Sequence, residues 1–409
     1  MSQETSTPVF VKGFKVAGIH AGLKADGALD MALIYSETPC VAAGVFTTNT
    51  VKAAPVLVDQ ETLAKNNTHI RAVIVNTKCA NACTGQQGID NAHQMQRWTA
   101  EKLGIREDEV LVMSTGVIGT QLPMEKIQRG IGLAVDALGE HHWEAAAQGI
   151  MTTDTRPKLS GAVFKADAIA NFEGHIAGIA KGAGMIAPNM ATMLGVLATD
   201  VSMNPQFAQS VLTQVTERSF NRIVVDGDMS TNDTLLLLAN AATGENSGVE
   251  GLQGLMAHYG LHVAQALAQM IVRDGEGVTK FITLNIKGAP DADAAQQIGN
   301  AIATSPLVKT AFYGGDANWG RIVAAAGRSG IAVIPEKMSL TYASPDQKQL
   351  VLLFTGGVPA NYDEAAATAL AKAEEIVVTL DCGMGTGDAT IWTCDLSHDY
   401  VSINGHYRS

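Results

Sequence analysis

The stretch KGAGMIAPNMATML, residues 181–194, sets how the rest of the chain is read. Gly182, Gly184 and Pro188 precede the pair Ala191-Thr192, and a short apolar run over 193–198 follows that reads as a strand. A turn rich in glycine and proline admits backbone conformations closed to other residues, and a strand behind it would hold Thr192 rigidly. Two readings stand open here. One is an ordinary threonine at a turn before a strand; the other is a threonine placed to react.

Upstream, residues 31–35, 55–59 and 70–76 read as strands. Residues 90–103 read as a helix, with Ala92, Met95, Trp98 and Lys102 on one stripe. An apolar strand over 109–113 runs into Ser114-Thr115-Gly116, a good place to expose backbone N–H groups to a ligand or simply to make a glycine turn. Residues 123–138 read as a helix, and the hydroxyl-rich MTTDTRPK, residues 151–158, precedes two strands over 162–168 and 175–180.

Downstream comes a helix near 205–218 and then DGDMSTNDT, residues 226–234. That loop imitates a calcium loop with Asp226, Asp228, Ser230 and Asn232 at alternate positions. Thr231 stands where glycine is needed and Leu237 where the bidentate acid is needed, so it reads as an Asx-rich turn into a strand over 234–239. Leu252, Met256, Tyr259, Val263, Leu267 and Met270 mark a long helix that stops at Gly275. Glu276 lies between two glycines before a strand over 280–286, as a turn acid or a site residue. The last third adds helices over 291–303 and 363–375, strands over 350–354 and 376–381, and a half-buried strand over 389–397. The sum is an α/β protein with mixed or antiparallel sheets layered with helices.

The 409 residues are 46% hydrophobic and 17% charged, with a net charge of −12 and no basic cluster. Phosphate and anionic lipid surfaces need concentrated Lys and Arg, so neither nucleic acid nor membrane is an expected partner. No apolar run approaches the ~20 residues of a bilayer span. MSQETSTPVF is not a signal peptide, so the expected location is the cytoplasm. The five cysteines read as reduced thiols. Cys79 and Cys83 have a half-site spacing but no second pair, so they read as buried or turn residues, and no metal or cofactor is expected.

The common catalytic motifs are missing. There is no G-x-S-x-G, no phosphate loop, no H-E-x-x-H and no dinucleotide turn. What remains is the threonine. In mid-chain its hydroxyl has no base, but cutting the Ala191–Thr192 bond would free an α-amine of pKa about 7.7–8.0 beside it. One residue then supplies nucleophile and base. The same hydroxyl could first attack the Ala191 carbonyl in an N-to-O acyl shift, and both reactions build an oxyanion that needs N–H donors.

The chain is similar, over essentially its whole length, to the ornithine acetyltransferases of arginine biosynthesis. The similarity is carried by Ser114-Thr115-Gly116, MTTDTRPK, KGAGMIAPNMATML, DGDMSTNDT, Glu276-Gly-Val-Thr-Lys280, Tyr313-Gly-Gly-Asp-Ala-Asn-Trp-Gly-Arg321 and the NGHYRS tail. The resemblance implies a self-processing fold of the ornithine acetyltransferase and aminopeptidase type. It implies cleavage between Ala191 and Thr192 into an α chain, 1–191, and a β chain, 192–409, paired as an α2β2 heterotetramer. It implies Thr192 as nucleophile, Thr115 and Gly116 as the oxyanion hole, and Thr152, Lys181, Thr192, Glu276, Asn404 and Ser409 as substrate contacts. The implied substrates are N2-acetylornithine and glutamate, with acetyl-CoA as a further candidate donor. Lys181 is chemically suited to a substrate carboxylate and Glu276 to the side-chain ammonium of acetylornithine. An aminopeptidase or amidase of related architecture, or a non-catalytic amino-acid-binding protein, are the alternatives.

Overall fold

In a computed structural model of the protein, the described residues are 10–166, 172–187, 193–244 and 251–406. The chain runs β1 (Phe14–Ile19), β2 (Met31–Phe46), α1 (Ala54–Lys65), β3 (Ile70–Asn76), α2 (Gly85–Leu103), β4 (Val110–Ser114), α3 (Met124–Asp136) and α4 (Trp143–Gly149). It continues through β5 (Lys158–Lys165), β6 (Glu173–Lys181), β7 (Leu194–Thr199), α5 (Pro205–Glu217), β8 (Ile223–Val224), β9 (Thr234–Ala239) and α6 (Leu252–Arg273). The last part is β10 (Phe281–Ala289), α7 (Ala292–Ala303), α8 (Pro306–Gly314), α9 (Trp319–Gly327), β11 (Ser339–Ala343) and β12 (Leu350–Thr355). β13 (Val358–Pro359), α10 (Glu364–Lys372), β14 (Glu375–Asp381), β15 (Gly387–Cys394) and α11 (His398–His406) complete it.

Two mixed sheets result. One has the order β4-β3-β2-β9-β7-β6-β5, with β1 also on β2; the other has the order β13-β12-β11-β14-β10-β15-β8. In the first sheet β7 and β9 are parallel neighbours, and both are apolar on both faces. Leu194, Val196, Leu236 and Leu238 pack with Ile34, Val75 and Trp143, whereas Leu197, Leu235 and Leu237 pack on Val263 and Leu267 of α6. Covered on two sides, such strands read as continuous apolar runs. The helix α6 sits against β5 and β6 and also reaches β15, so it joins the two sheets.

Three expectations are corrected. Residues 55–59 are not a strand but the start of α1, where Pro55 occupies the first turn. Val56 and Val58 gave the stretch a strand-like pattern, but proline with its fixed φ suits the first position of a helix. The strand expected over 162–168 is β5, already formed from Lys158 and ending at Lys165, while residues 167–168 lie outside the described set. The half-buried strand expected over 389–397 is β15, which ends at Cys394 and is buried on both faces only from Ile391 on: Ile391 belongs to the core beneath α7, and Trp392 and Cys394 to the core around α6, while Thr390 stays part-exposed.

On the strand pair β6–β7, His175 Nδ1 lies 2.7 Å from Asp200 Oδ2, and Glu173 is 3.6 Å from the other ring nitrogen. The Asp200 hydrogen bond raises the histidine pKa against burial, with the Asp200 and Glu173 charges adding to it. A raised histidine stabilises the fold fully below its ordinary value of about 6.5 and loses that contribution as pH climbs through the folded value. Melting temperatures of the wild type and His175→Gln should therefore differ most at pH 6 and converge toward pH 9. An equal gap at both pH values would remove this role.

Candidate active site

Lys181, the last residue of β6, pairs with Leu194, the first of β7. The 181–194 stretch is thus the connection between two adjacent antiparallel strands, and three carboxylates from two loops strap it down. Asp154 Oδ1 accepts the Gly182 amide at 2.7 Å. Asp226 accepts the amides of Met185 at 2.6 Å and Ile186 at 2.8 Å. Asp233 accepts the Met193 amide at 3.0 Å. The Glu276 amide donates to the Ala183 carbonyl at 2.9 Å. The Asx-rich turn over 226–234 therefore serves the connection, with Asp226 gripping one end and Asp233 the other.

β4 delivers Ser114-Thr115-Gly116 to the same place. The Asn232 side chain donates to Ser114 O at 2.8 Å and to Ala80 O at 2.7 Å, tying the turn to the strand end. The sequence suggested that backbone N–H groups here face a ligand, and Thr115 departs from that. Its amide is already given to Asn76 O at 3.0 Å. What Thr115 has left to offer is its hydroxyl, 3.5 Å from Lys181 Nζ. Gly116 makes no backbone hydrogen bond among the described residues, which leaves its amide available. Its φ is +133°, and a Cβ there would lie 2.3 Å from the Lys78 carbonyl carbon, so only glycine fits. Cys79 is buried beside this turn with its thiol pushed up by burial, and Cys83 is exposed in the left-handed region, in keeping with buried and turn cysteines.

Glu276 crosses directly over Gly184, where an added Cβ would lie 2.3 Å from Glu276 Oε2. Asn404 of α11 donates to that oxygen at 2.8 Å. Tyr400, one turn earlier, donates to Asp226 Oδ2 at 3.1 Å. Thr152 joins through its amide, donated to Asp154 Oδ2 at 2.9 Å. Of the expected site residues, Thr115, Gly116, Thr152, Lys181, Glu276 and Asn404 thus border one connection. Ala191, Thr192 and Ser409 lie outside the described residues.

Sequence reasoning passed over Asp154, Lys158, Asp226, Asp233 and Asp274 as site-building residues. Each lies within or beside a quoted motif, and charges are sparse in this chain. Buried charge was the signal available.

The ArgJ family model matches residues 15–409. The chain belongs to the ArgJ family. The arginine biosynthesis bifunctional protein ArgJ of Geobacter sulfurreducens is 47% identical over 402 residues, covering 98% of this chain and 100% of that one. The mitochondrial protein of the same name from Neosartorya fischeri is 44% identical over 428 residues, covering 99% of this chain and 93% of its own. Among solved structures, the ornithine acetyltransferase of Mycobacterium tuberculosis complexed with ornithine is 40% identical. It covers 45% of this chain and 94% of its own, at a TM-score of 0.40.

In this ArgJ chain the charges around the connection are buried and interdependent. Lys181 is 3% exposed. Burial lowers its pKa, and the largest opposing influence is the charge of Asp154. Burial would raise Asp154, yet Lys181 and Lys158 hold its carboxyl well below the usual carboxylate range. Asp233 is the reverse case. It is fully buried, and desolvation raises its carboxyl well above the usual range despite the Met193 amide. Its Oδ2 has no hydrogen-bond partner among the described residues. Asp226 is raised by burial too, opposed by the amides that it grips. The arrangement places an ammonium, a carboxylate, a hydroxyl and an amide with no partner among the described residues around one strand connection. That set can orient an amino acid and stabilise an oxyanion.

Proposed function

We propose that the protein transfers the acetyl group of N2-acetylornithine to glutamate through an ester on Thr192, after cutting its own Ala191–Thr192 bond. The observation that carries this reading is the convergence of Thr115, Gly116, Lys181, Glu276 and Asn404 on the connection containing Thr192. Cleavage would give chains 1–191 and 192–409, and two copies of each would assemble as α2β2 in the cytoplasm.

In the first half-reaction the freed α-amine takes the Thr192 hydroxyl proton as the oxygen attacks the acetyl carbonyl. The Thr115 hydroxyl and Gly116 amide donate to the oxyanion. The bond from the carbonyl carbon to the ornithine nitrogen then breaks, and that nitrogen leaves with the proton. In the second, the glutamate amine attacks the ester, and N-acetylglutamate leaves as Thr192 regains its hydrogen. Lys181 pairs with the substrate carboxylate. Glu276 receives the side-chain ammonium of acetylornithine, with Asn404 holding its Oε2. Glutamate lacks that ammonium, so Glu276 changes partners between the half-reactions, and Thr152 and Ser409 complete the pocket.

Mixing the enzyme with N2-acetylornithine alone should release one equivalent of ornithine per Thr192, and adding glutamate should restore turnover with parallel double-reciprocal lines. Ornithine release at equal rate without glutamate would instead mark an amidase. A parallel assay of thiol release from acetyl-CoA with glutamate tests the further donor.

A further inference from the structure

Behind the substrate residues lies an ion triad that the reaction as written does not use. Lys158 Nζ is 2.6 Å from Asp154 Oδ1 and 2.5 Å from Asp274 Oδ2, and the three side chains are 0%, 0% and 1% exposed. Every arm of the triad reaches a segment that carries a substrate contact. Asp154 holds the Thr152 amide with one oxygen and the Gly182 amide, next to Lys181, with the other. Asp274 lies two residues before Glu276 and accepts the amide of Thr155 at 3.1 Å and its hydroxyl. Arg156, largely exposed, comes within 3.5 Å of Asp274.

Counting the three buried side chains, two carboxylates and one ammonium leave one negative charge in excess, with the exposed Arg156 guanidinium reaching only the Asp274 end. Lys181 is the other buried cation beside it. Among the described residues Lys181 makes no ion pair, and its hydrogen bond goes to the Thr115 hydroxyl. The charged groups that act on it are Asp154, Lys158, Asp233 and Glu276, with Asp154 the strongest attraction. A buried ammonium without a contact partner stays charged only if a fixed negative charge stands nearby.

We propose that the Asp154–Lys158–Asp274 triad is a positioning device that pre-orders Lys181 to receive the α-carboxylate shared by both amino-acid substrates. Asp154 acts on Lys181, while Lys158 and Asp274 fix Asp154 in place. This rests on the reading of Lys181 as the carboxylate acceptor. The triad leaves the ammonium its hydrogens to donate, because the compensating charge sits behind it rather than on it.

The test uses full-length, processed enzyme, with cleavage of each variant checked by denaturing mass analysis. Asp154→Asn keeps the shape and removes the charge, so Lys181 should lose its proton at lower pH. KM for N2-acetylornithine and for glutamate should rise roughly 10- to 100-fold. The alkaline limb of kcat/KM should move to lower pH. Lys158→Met removes a repelling cation and should move that limb to higher pH. A purely structural role would move both variants the same way or neither, and either result overturns the proposal. Where either triad variant fails to fold, Asp154→Glu, which keeps the charge, decides the matter: its alkaline limb should stay near that of the wild type, and a limb moved to lower pH overturns the proposal. Lys181→Met separates the underlying reading: unchanged KM for both substrates would sink Lys181 as acceptor. A raised, pH-independent KM there, with unmoved limbs in the triad variants, would sink the triad alone.

Discussion

Thr192→Ala should yield a single species of 42.8 kDa under denaturing conditions and lose acetyl transfer by roughly 10⁴-fold or more. Both losses have one cause. Without the hydroxyl there is no atom to attack the Ala191 carbonyl, so no α-amine is released, and no oxygen remains to carry the acetyl group. Thr192→Ser keeps the hydroxyl and should keep part of each activity. Intact-mass analysis and a discontinuous ornithine assay read the two effects separately. A Thr192→Ala preparation that is still cut, or an uncut wild-type preparation with full activity, would end the processing mechanism.

Gly116→Ala should be nearly as damaging through geometry rather than chemistry. A methyl group at 116 would lie 2.3 Å from the Lys78 carbonyl carbon and 2.5 Å from the Cys79 nitrogen, at a φ of +133°. Both neighbours are backbone in a turn tied to β4, so the strand end must move and take the Gly116 amide and Thr115 hydroxyl with it. Loss of one oxyanion donor costs about 10²- to 10³-fold in kcat, and the displaced turn should also slow cleavage. Time courses of chain cutting and kcat for transfer should fall together. A fall in stability alone, with both rates retained, would remove Gly116 from the oxyanion role.

The legible parts of the fold were those where one local pattern had no competitor. β3 and β9 appear at the expected residues, and α6 follows the stripe Met256, Val263 and Leu267. The helix α1 was misread because Val56 and Val58 imitate a strand while Pro55 acts as a helix start. For the site, the motifs named the residues that face the connection. They did not reveal Asp154, Asp226 and Asp233, because an acid that accepts a distant backbone amide leaves no periodic trace. Thr115 shows the same limit: that Asn76 occupies its amide follows from the pairing of β3 with β4, which no single segment encodes.

The order β2-β9-β7-β6 places two strands from beyond residue 192 between two from before it. Lys181 and Leu194 are ladder partners, so the two ends of the connection are held together by the sheet itself as well as by the chain between them. After the proposed cut, parting the two products would mean tearing a sheet along β2–β9 and β6–β7, so dissociation and unfolding become one event. The reverse path changes order. The uncut chain finds its β6–β7 pairing at the millimolar effective concentration of a tether, whereas separated chains must find it by collision. With the proposed cut, the protein would fold once, as one chain, and the activating chemistry would also discard the tether that made folding unimolecular. Its persistence afterwards rests on how slowly that sheet opens.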